Sequence, residues 1–342
     1  MLEQKILDFI TKNNLIENGD KIVLGVSGGP DSICMLSILN EISKKKLIDF
    51  EIFVAHINHG LRENAKLDEE FVRSFCEKIG VQFFVKHADI KKISEEQKRG
   101  LEETGRIVRY EFFDEIMEKT NSNKIAIAHN NNDKSETIIM NIFRGTGIKG
   151  LIGIEAKNGK YIRPLIETDR NEIEQYLKEK NIVARHDESN DENTYTRNKI
   201  RNIVIPYIQK EFNPNITNSL ERLSEIAKEE EEYLVNQTAS VFKKICIDEI
   251  NVTDNFEYNK LNNAEIVINL KEFNKQETLI QKRIILYSVN KIFGTTKGIE
   301  KIHLEDIIKL CNNNIGNKYL TPNKNLKIVT QKKQLKIIAQ NC

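Results

Sequence analysis

Four short apolar runs punctuate the first part of the chain: KIVLGV (21–26), FEIFVAHIN (50–58), VQFFVKHA (81–88) and KIAIAH (124–129). Each is rich in β-branched or aromatic residues and too short for a stable helix, so each predicts a strand. Between and after them, apolar residues recur at helical spacing over 31–46, 66–79, 100–119 and 133–144. This alternation predicts a parallel sheet covered by helices on both faces. Such sheets bind ligands beyond the carboxyl ends of their strands, where the strand order reverses. Every polar cluster considered below follows one of these strands. The opening segment MLEQKILDFITKNNL places Leu2, Ile6, Phe9 and Ile10 on one helix face. Its interspersed charges exclude a signal peptide. No apolar stretch approaches the roughly 20 residues of a membrane span.

The texture changes after IPYIQKEFNPN (205–215). A long amphipathic helix is predicted from about 216 to 246, with Leu220, Leu223, Ala227, Leu234, Val241 and Ile245 as its buried stripe. KEEEEY (228–233) reads as its solvated face. The remainder mixes helices with a terminal hairpin in KYLTPNKNLKIVTQKKQLKII. The prediction is therefore an α/β domain over 1–212, then a linker helix and a smaller, mainly helical domain over 213–342. A chain of 342 residues can bury two such cores. Hydrophobic residues at 39% and charged residues at 30% suit an ordinary soluble protein. The net charge of +1 means that any nucleic-acid contact must come from local patches. Cys34, Cys76, Cys246, Cys311 and Cys342 form no C-x-x-C pair, and no H-E-x-x-H occurs. A disulfide scaffold and a zinc ribbon are thus disfavoured, and the expected compartment is the reducing cytoplasm.

The first strand leads into SGGPDS (27–32). Gly28 and Gly29 permit unusual backbone angles and close approach of a ligand. The following helix aims its free N–H groups and dipole into the loop, and Ser27 and Ser32 add hydroxyls. A phosphate-rich ligand fits, although the lysine of G-x-x-x-x-G-K-[ST] is missing. Asp31 beside phosphates is repulsive unless Mg²⁺ lies between them; otherwise it merely caps the helix.

SGGPDS resembles the S-G-G-x-D-S signature of the PP-loop ATP pyrophosphatase superfamily, which implies a Rossmann-like, adenine nucleotide alpha hydrolase-like domain. HINHGLR (56–62) resembles the H-x-N-H-x-L-R motif of tRNA(Ile)-lysidine synthetases. AHNNNDKSETIIMNIFRGTGIKGL (128–151), RPLI (163–166) with TDRNEIEQYL (168–177), and DESNDENTYTRNKIRNIVIP (187–206) are similar to further segments of that family in the same order. Asn130 and Asn132 stand where the family carries the second histidine of its pair and the first aspartate of its doublet. Any function of those charges therefore rests on His129 and Asp133. Many members carry a further C-terminal domain, which this chain, ending at Cys342, is expected to lack.

The resemblance implies a C–N bond-forming ligase that makes lysidine at the first position of a CAU anticodon in tRNA(Ile). ATP adenylates the cytidine, and free L-lysine then displaces AMP. It implies ATP binding by Ser27, Gly28, Gly29, Pro30, Asp31, Ser32, His56 and Arg109, with Mg²⁺ on Asp31. It implies catalytic roles for Asp31, Asp133, Arg197 and Arg201, and lysine binding by Asp133, Glu136 and His129. Expected tRNA contacts are His59, Arg62, Arg144, Lys149 and Lys199, the domain after the linker helix within 213–342 is expected to bind tRNA, and a homodimer is admitted. Read from spacing alone, Asp133-x-x-Glu136 is equally a capping box or a paired-carboxylate pocket. Arg197, Lys199 and Arg201 are a solvated helix face or a phosphate-binding cluster. Glu103, Arg106 and Arg109 share a helix face that is either a surface ion pair or a phosphate contact. Three rivals remain: a PP-loop tRNA thiolase, which would need paired cysteines, an ATP-pyrophosphatase ligase for a small metabolite, and a non-catalytic nucleotide- or RNA-binding module, against which the intact Asp31, Asp133 and Glu136 argue.

Overall fold

The protein is described from a computed structural model covering residues 1–60, 65–185, 196–313 and 318–340. Arg62, the Asp187-x-Ser189-Asn190 motif and Cys342 lie outside the described residues. The chain divides into two compact units, Met1–Lys228 and Glu229–Cys342.

The first unit opens with α1 (Leu2–Lys12), β1 (Asp20–Gly25), α2 (Pro30–Lys44), β2 (Phe50–Asn58), α3 (Ala65–Ile79) and β3 (Gln82–His87). It continues through α4 (Ile90–Gln97), α5 (Leu101–Lys119), β4 (Lys124–Ile127), α6 (Asn131–Phe143) and α7 (Ile148–Leu151). Two short strands follow, β5 (Lys157–Asn158) and β6 (Tyr161–Ile162), then α8 (Arg170–Glu179) and α9 (Thr196–Lys199). A π-helical turn over Ile200–Val204 links α9 to α10 (Ile205–Glu211), and α11 (Ile216–Ile245) contains the division between the units.

The sheet order is β3-β2-β1-β4-β6-β5, parallel except for the β5–β6 pair. All four strands expected from the apolar runs are present in this sheet. Strand β1 shows why those runs are continuous rather than alternating. Ile22 and Leu24 pack on one face with α1, α2 and α8, while Val23 packs on the other with Phe112, Phe113 and Ile116 of α5. Both faces are buried, as a parallel sheet requires. Asp20 and Lys124 fix the amino ends of β1 and β4 through a buried 2.6 Å ion pair, and Asn123 donates to the same carboxylate at 2.7 Å. Strand order reverses between β1 and β4, so a crevice opens at their carboxyl ends.

The second unit contains β7 (Cys246–Ile250), α12 (Phe256–Leu261), β8 (Glu265–Asn269), α13 (Leu270–Asn274), α14 (Thr278–Phe293) and α15 (Lys301–Asn312). It ends with β9 (Lys318–Asn323), β10 (Leu326–Gln331) and β11 (Gln334–Ala339). The expected hairpin is β10–β11, turning through Lys332 and Lys333, both at positive φ as a tight two-residue turn requires. The hairpin belongs to a five-stranded antiparallel sheet, order β7-β8-β11-β10-β9, so the unit is more than helices and one hairpin. One sheet face packs against α14 and α15 through Ile266, Ile284, Ile307, Ile328 and Ile337. Along α11, Leu220, Ala227 and Ile245 are buried as the stripe predicts, but Leu223 is exposed and Ser224 takes the inward position. The Ser224 hydroxyl donates to the Ile152 carbonyl at 2.7 Å, which makes a polar residue acceptable there.

Gly25 ends β1 where the ring of Phe113 crosses it, and an added Cβ would lie 2.4 Å from Phe113 Cζ. Gly25→Ala is therefore expected to destabilise the protein by about 1–3 kcal/mol through overpacking. Urea unfolding of the single variants and of Gly25→Ala/Phe113→Leu checks this: the double variant should lose less stability than the two single losses added together.

Candidate active site

The loop after β1 is built around the Ser32 hydroxyl. It accepts from the backbone N–H groups of Ser27 and Gly28, both at 3.2 Å, and donates to the Gly29 carbonyl at 2.9 Å. Ser32 therefore shapes the loop and has already committed its proton. Gly28 has φ +97, a conformation that side chains disfavour, and an added Cβ would lie 3.3 Å from Val72. Gly29 is the N-cap of α2 and Pro30 follows in its first turn, so the chain enters the helix with its first N–H groups facing the crevice.

Asp31 lies in that first turn. Burial, reinforced by the neighbouring Asp133 carboxylate, pushes its pKa up to about 6. Its Oδ1 is buried with no hydrogen-bond partner among the described residues. A carboxylate oxygen left bare beside a helix N-terminus and a second carboxylate suits a divalent cation. The residues present therefore fit Mg²⁺ at Asp31.

Strand β4 delivers the second half of the site. Asn130 caps α6: its side chain accepts from Asp133 N–H at 3.0 Å, and the Asp133 carboxylate accepts from Asn130 N–H at 3.0 Å. The capping box thus starts at Asn130, with Asp133 as its third helical residue, and Glu136 takes no part in it. The Asn132 side chain accepts from the Arg170 backbone at 3.2 Å. His129 Nδ1 accepts from Arg163 Nε at 3.1 Å, which places the imidazole proton on Nε2. Burial pushes the His129 pKa down to about 4, so the ring is neutral at pH 7.

Arg197 and Arg201 close the cluster from α9 and the π-helical turn, positions four apart on one helical face. Arg197 donates from Nε to Glu136 at 2.7 Å and from Nη2 to Asp133 at 2.9 Å. Arg201 donates from Nε to Glu136 at 2.5 Å and from Nη2 to Asp133 at 2.9 Å and Glu136 at 3.0 Å. Two acids and two guanidinium groups so balance in charge beside Asp31, and the arginine pKa values are raised further by those acids against the effect of burial. A π turn at this point matches the frequent occurrence of such irregularities at functional sites.

The other expected residues separate into two kinds. His56 is buried and donates from Nδ1 to the Val26 carbonyl at 2.8 Å, with burial lowering its pKa, so it braces the end of β1 as a neutral ring. His59 follows β2 on a loop that Asn58 anchors, donating to Glu69 at 3.1 Å and accepting from Gly60 N–H at 3.1 Å. Arg109, Arg144, Lys149 and Lys199 are exposed on α5, the end of α6, α7 and α9. Sequence reasoning missed Arg163 and Asn130 as site residues. The RPLI motif contained the first, and the helix-start position just before a periodic run signalled the second. Cys76 and Cys311 are buried thiols pushed up to about 12, and burial raises Cys34 too, so these three are protonated rather than nucleophilic.

His129 generates a pH dependence of stability. Its folded pKa lies below the unfolded value of about 6.5, so the unfolded chain binds more protons between those two values. Stability contributed by the neutral ring is complete above pH 6.5 and falls as pH drops towards 4, with a slope of up to about 1.4 kcal/mol per pH unit. Melting curves of the wild type and His129→Gln across that window check it. The variant should show the shallower slope, and equal slopes would refute the assignment.

Comparison with known proteins follows the same lines. The PP-loop domain family matches residues 1–208. The chain is 41% identical over 320 residues to a tRNA(Ile)-lysidine synthase of Caldanaerobacter subterraneus subsp. tengcongensis, a match covering 93% of this chain and 65% of that protein. It is 40% identical over 334 residues to a tRNA(Ile)-lysidine synthase of Clostridioides difficile, covering 97% of this chain and 69% of that protein. The chain thus spans about two-thirds of the length of these relatives. Among solved structures, the U34-tRNA thiolase NcsA from Methanococcus maripaludis, with its 4Fe-4S cluster, superposes with a TM-score of 0.53 at 20% identity. That match covers 65% of this chain and 78% of the thiolase, and it is a likeness of fold alone. With the PP-loop match across its first unit and this level of identity across nearly its whole length, the chain belongs to the tRNA(Ile)-lysidine synthase family.

Proposed function

We propose that the protein joins free L-lysine to C2 of the cytidine at the first anticodon position of tRNA(Ile) bearing CAU, at the expense of ATP. The observation that carries this reading is the meeting of the Asp31 loop with the Asp133–Glu136–Arg197–Arg201 cluster at the β1/β4 crevice. Cytosine O2 is a poor leaving group. It therefore attacks the α-phosphorus of ATP first, and the bond to pyrophosphate breaks. The lysine ε-amine then attacks C2, and O2 departs with AMP.

The chain's own groups fit these demands. Ser27, Gly28, Gly29 and Pro30 present the amino end of α2 to phosphate oxygens, in a loop shaped by Ser32. A divalent cation on Asp31 would neutralise charge between that carboxylate and the ATP phosphates. In this reading Arg197 and Arg201 stabilise the negative charge that develops on the transferring phosphoryl group. His56 supports this wall of the pocket, and Arg109 supplies a further cation for ATP.

A free lysine side chain is neutral in only about one molecule in a few thousand at pH 7. Asp133, partly accessible beside neutral His129, orients the ammonium until its proton is lost. His59, Arg62, Arg144, Lys149 and Lys199 serve the tRNA backbone. Phe143 is 64% exposed next to Arg144, so a base-stacking ring adjoins a phosphate contact. Mg²⁺, lysine and the CAU-bearing tRNA together define the reaction to be tested.

The test is ATP-dependent incorporation of labelled lysine into a CAU-bearing tRNA(Ile) transcript, with a methionine tRNA as control. Label is expected in the first RNA and not in the second, and pyrophosphate release without lysine incorporation would refute the nucleophile. Asp31→Asn should lower turnover by at least about 100-fold. The same variant should melt no lower than wild type at pH 7. Its carboxylate has a folded pKa raised by burial and by Asp133, so ionised Asp31 opposes folding and a neutral amide relieves it.

A further inference from the structure

The lysine-binding acids expected from the family resemblance differ in what the fold leaves them free to do. Glu136 is 1% exposed, and both of its carboxylate oxygens are taken by guanidinium groups. Arg201 spans it with two bonds, Nε to Oε1 and Nη2 to Oε2, while Arg197 Nε also reaches Oε2. A carboxylate held in this way fixes the plane and direction of a guanidinium, because the fork geometry of arginine allows little choice once two N–H groups are engaged. An ammonium reaching Glu136 would have to enter a buried carboxylate that already accepts three guanidinium hydrogen bonds, and displacing either arginine would leave a part-buried cation without this partner.

Asp133 differs in position and in partners. It shares the arginines through Oδ1, while Oδ2 accepts from the Asn130 backbone, and its side chain is 11% exposed. It therefore presents an edge to the crevice that Glu136 does not. The two carboxylates, one helical turn apart on α6, both bind the two arginines, but the Asp133 side chain keeps some exposure while Glu136 is closed off.

We propose that Glu136 is a positioning residue for the adenylation step, acting through Arg197 and Arg201, and is not a ligand of the lysine substrate. This rests on the lysidine reading above, in which the two arginines meet the phosphoryl group in transfer. The first half-reaction needs tRNA and ATP but no lysine. A lost lysine ligand would leave that half-reaction intact, whereas misplaced arginines would slow it.

The experiment measures pyrophosphate release from ATP with the CAU-bearing transcript in the absence of lysine, then the KM for lysine in the complete reaction. Wild-type protein is measured first. If it releases no pyrophosphate with any tRNA, the lysidine reading itself fails, separately from this assignment. Given an active wild type, Glu136→Gln is expected to slow lysine-independent pyrophosphate release at least tenfold while the KM for lysine stays within twofold. Normal release with a lysine KM raised tenfold would overturn the proposal in favour of a lysine ligand. Normal values of both would overturn it as well. Should Glu136→Gln fail to fold by thermal melting, Arg201→Lys decides the matter, since it keeps the charge and loses the fork. Slowed release with unchanged lysine KM supports the proposal, and undiminished release overturns it.

Discussion

The site depends on one topological constraint: β1 is paired in parallel with β2 on one side and with β4 on the other. Each of β1 and β4 ends at the same edge of the sheet and hands its chain to a helix, α2 or α6. Two helix amino termini therefore open onto one crevice, and the residues of their first turns, Asp31 and Asp133, become neighbours although about a hundred positions separate them. The buried Asp20–Lys124 pair at the opposite ends of these strands keeps them in register. A slip by one residue would turn every side chain on β4 to the other face and dismantle the crevice.

That convergence creates an electrostatic problem which the remaining elements answer. Two helix N-termini favour negative charge, yet carboxylates so close together oppose each other's ionisation. Arg197 and Arg201, brought from another part of the chain, compensate Asp133 and Glu136 through five hydrogen bonds at 2.5–3.0 Å. Asp31 remains as the surplus acid, with its pKa raised to about 6 and one oxygen bare. A buried ion cluster of this kind is weak evidence for stability, because desolvation offsets much of the attraction. It makes better sense as a fixed array of charges whose geometry survives exchange of partners at its open edge. Stability lost to such a cluster is regained in the apolar layers on both faces of the sheet.

How legible all this is in the sequence depends on the range of the interaction involved. The strands of the first sheet are legible because burial on both faces leaves continuous apolar runs, and SGGPDS is legible because a tight strand-to-helix loop needs its glycines locally. Strands β7 and β8 escape notice for the opposite reason. The first begins where a long helical pattern ends and has mostly exposed residues, and the second has too few residues to establish a period. The capping box illustrates a finer limit. Spacing admits a box starting at Asp133, but Asn130 is the better cap because its side chain already bonds Asp133 N–H, which moves the helix start back to Asn131. His56 could be read as a ligand from sequence alone, and only the nearby Val26 carbonyl, thirty positions away, gives it a bracing role. The Arg163–His129 contact is equally non-local, and it decides which imidazole nitrogen carries the proton.

Near-neutral net charge and a polyanionic partner are compatible on these terms. What a phosphate backbone senses is the local field within about a Debye length, roughly 8–10 Å at ordinary ionic strength, rather than the sum over the chain. In the first unit several acids are spent on internal partners: Glu69 on Asn58, Arg73 and His87, Glu136 and Asp133 on two arginines, Asp68 on Arg185. Pairing mutes their field towards solvent. Arg144, Lys149 and Lys199, at the end of α6, on α7 and on α9, are exposed and keep theirs. A +1 total is thus compatible with exposed cations outside an internally balanced centre.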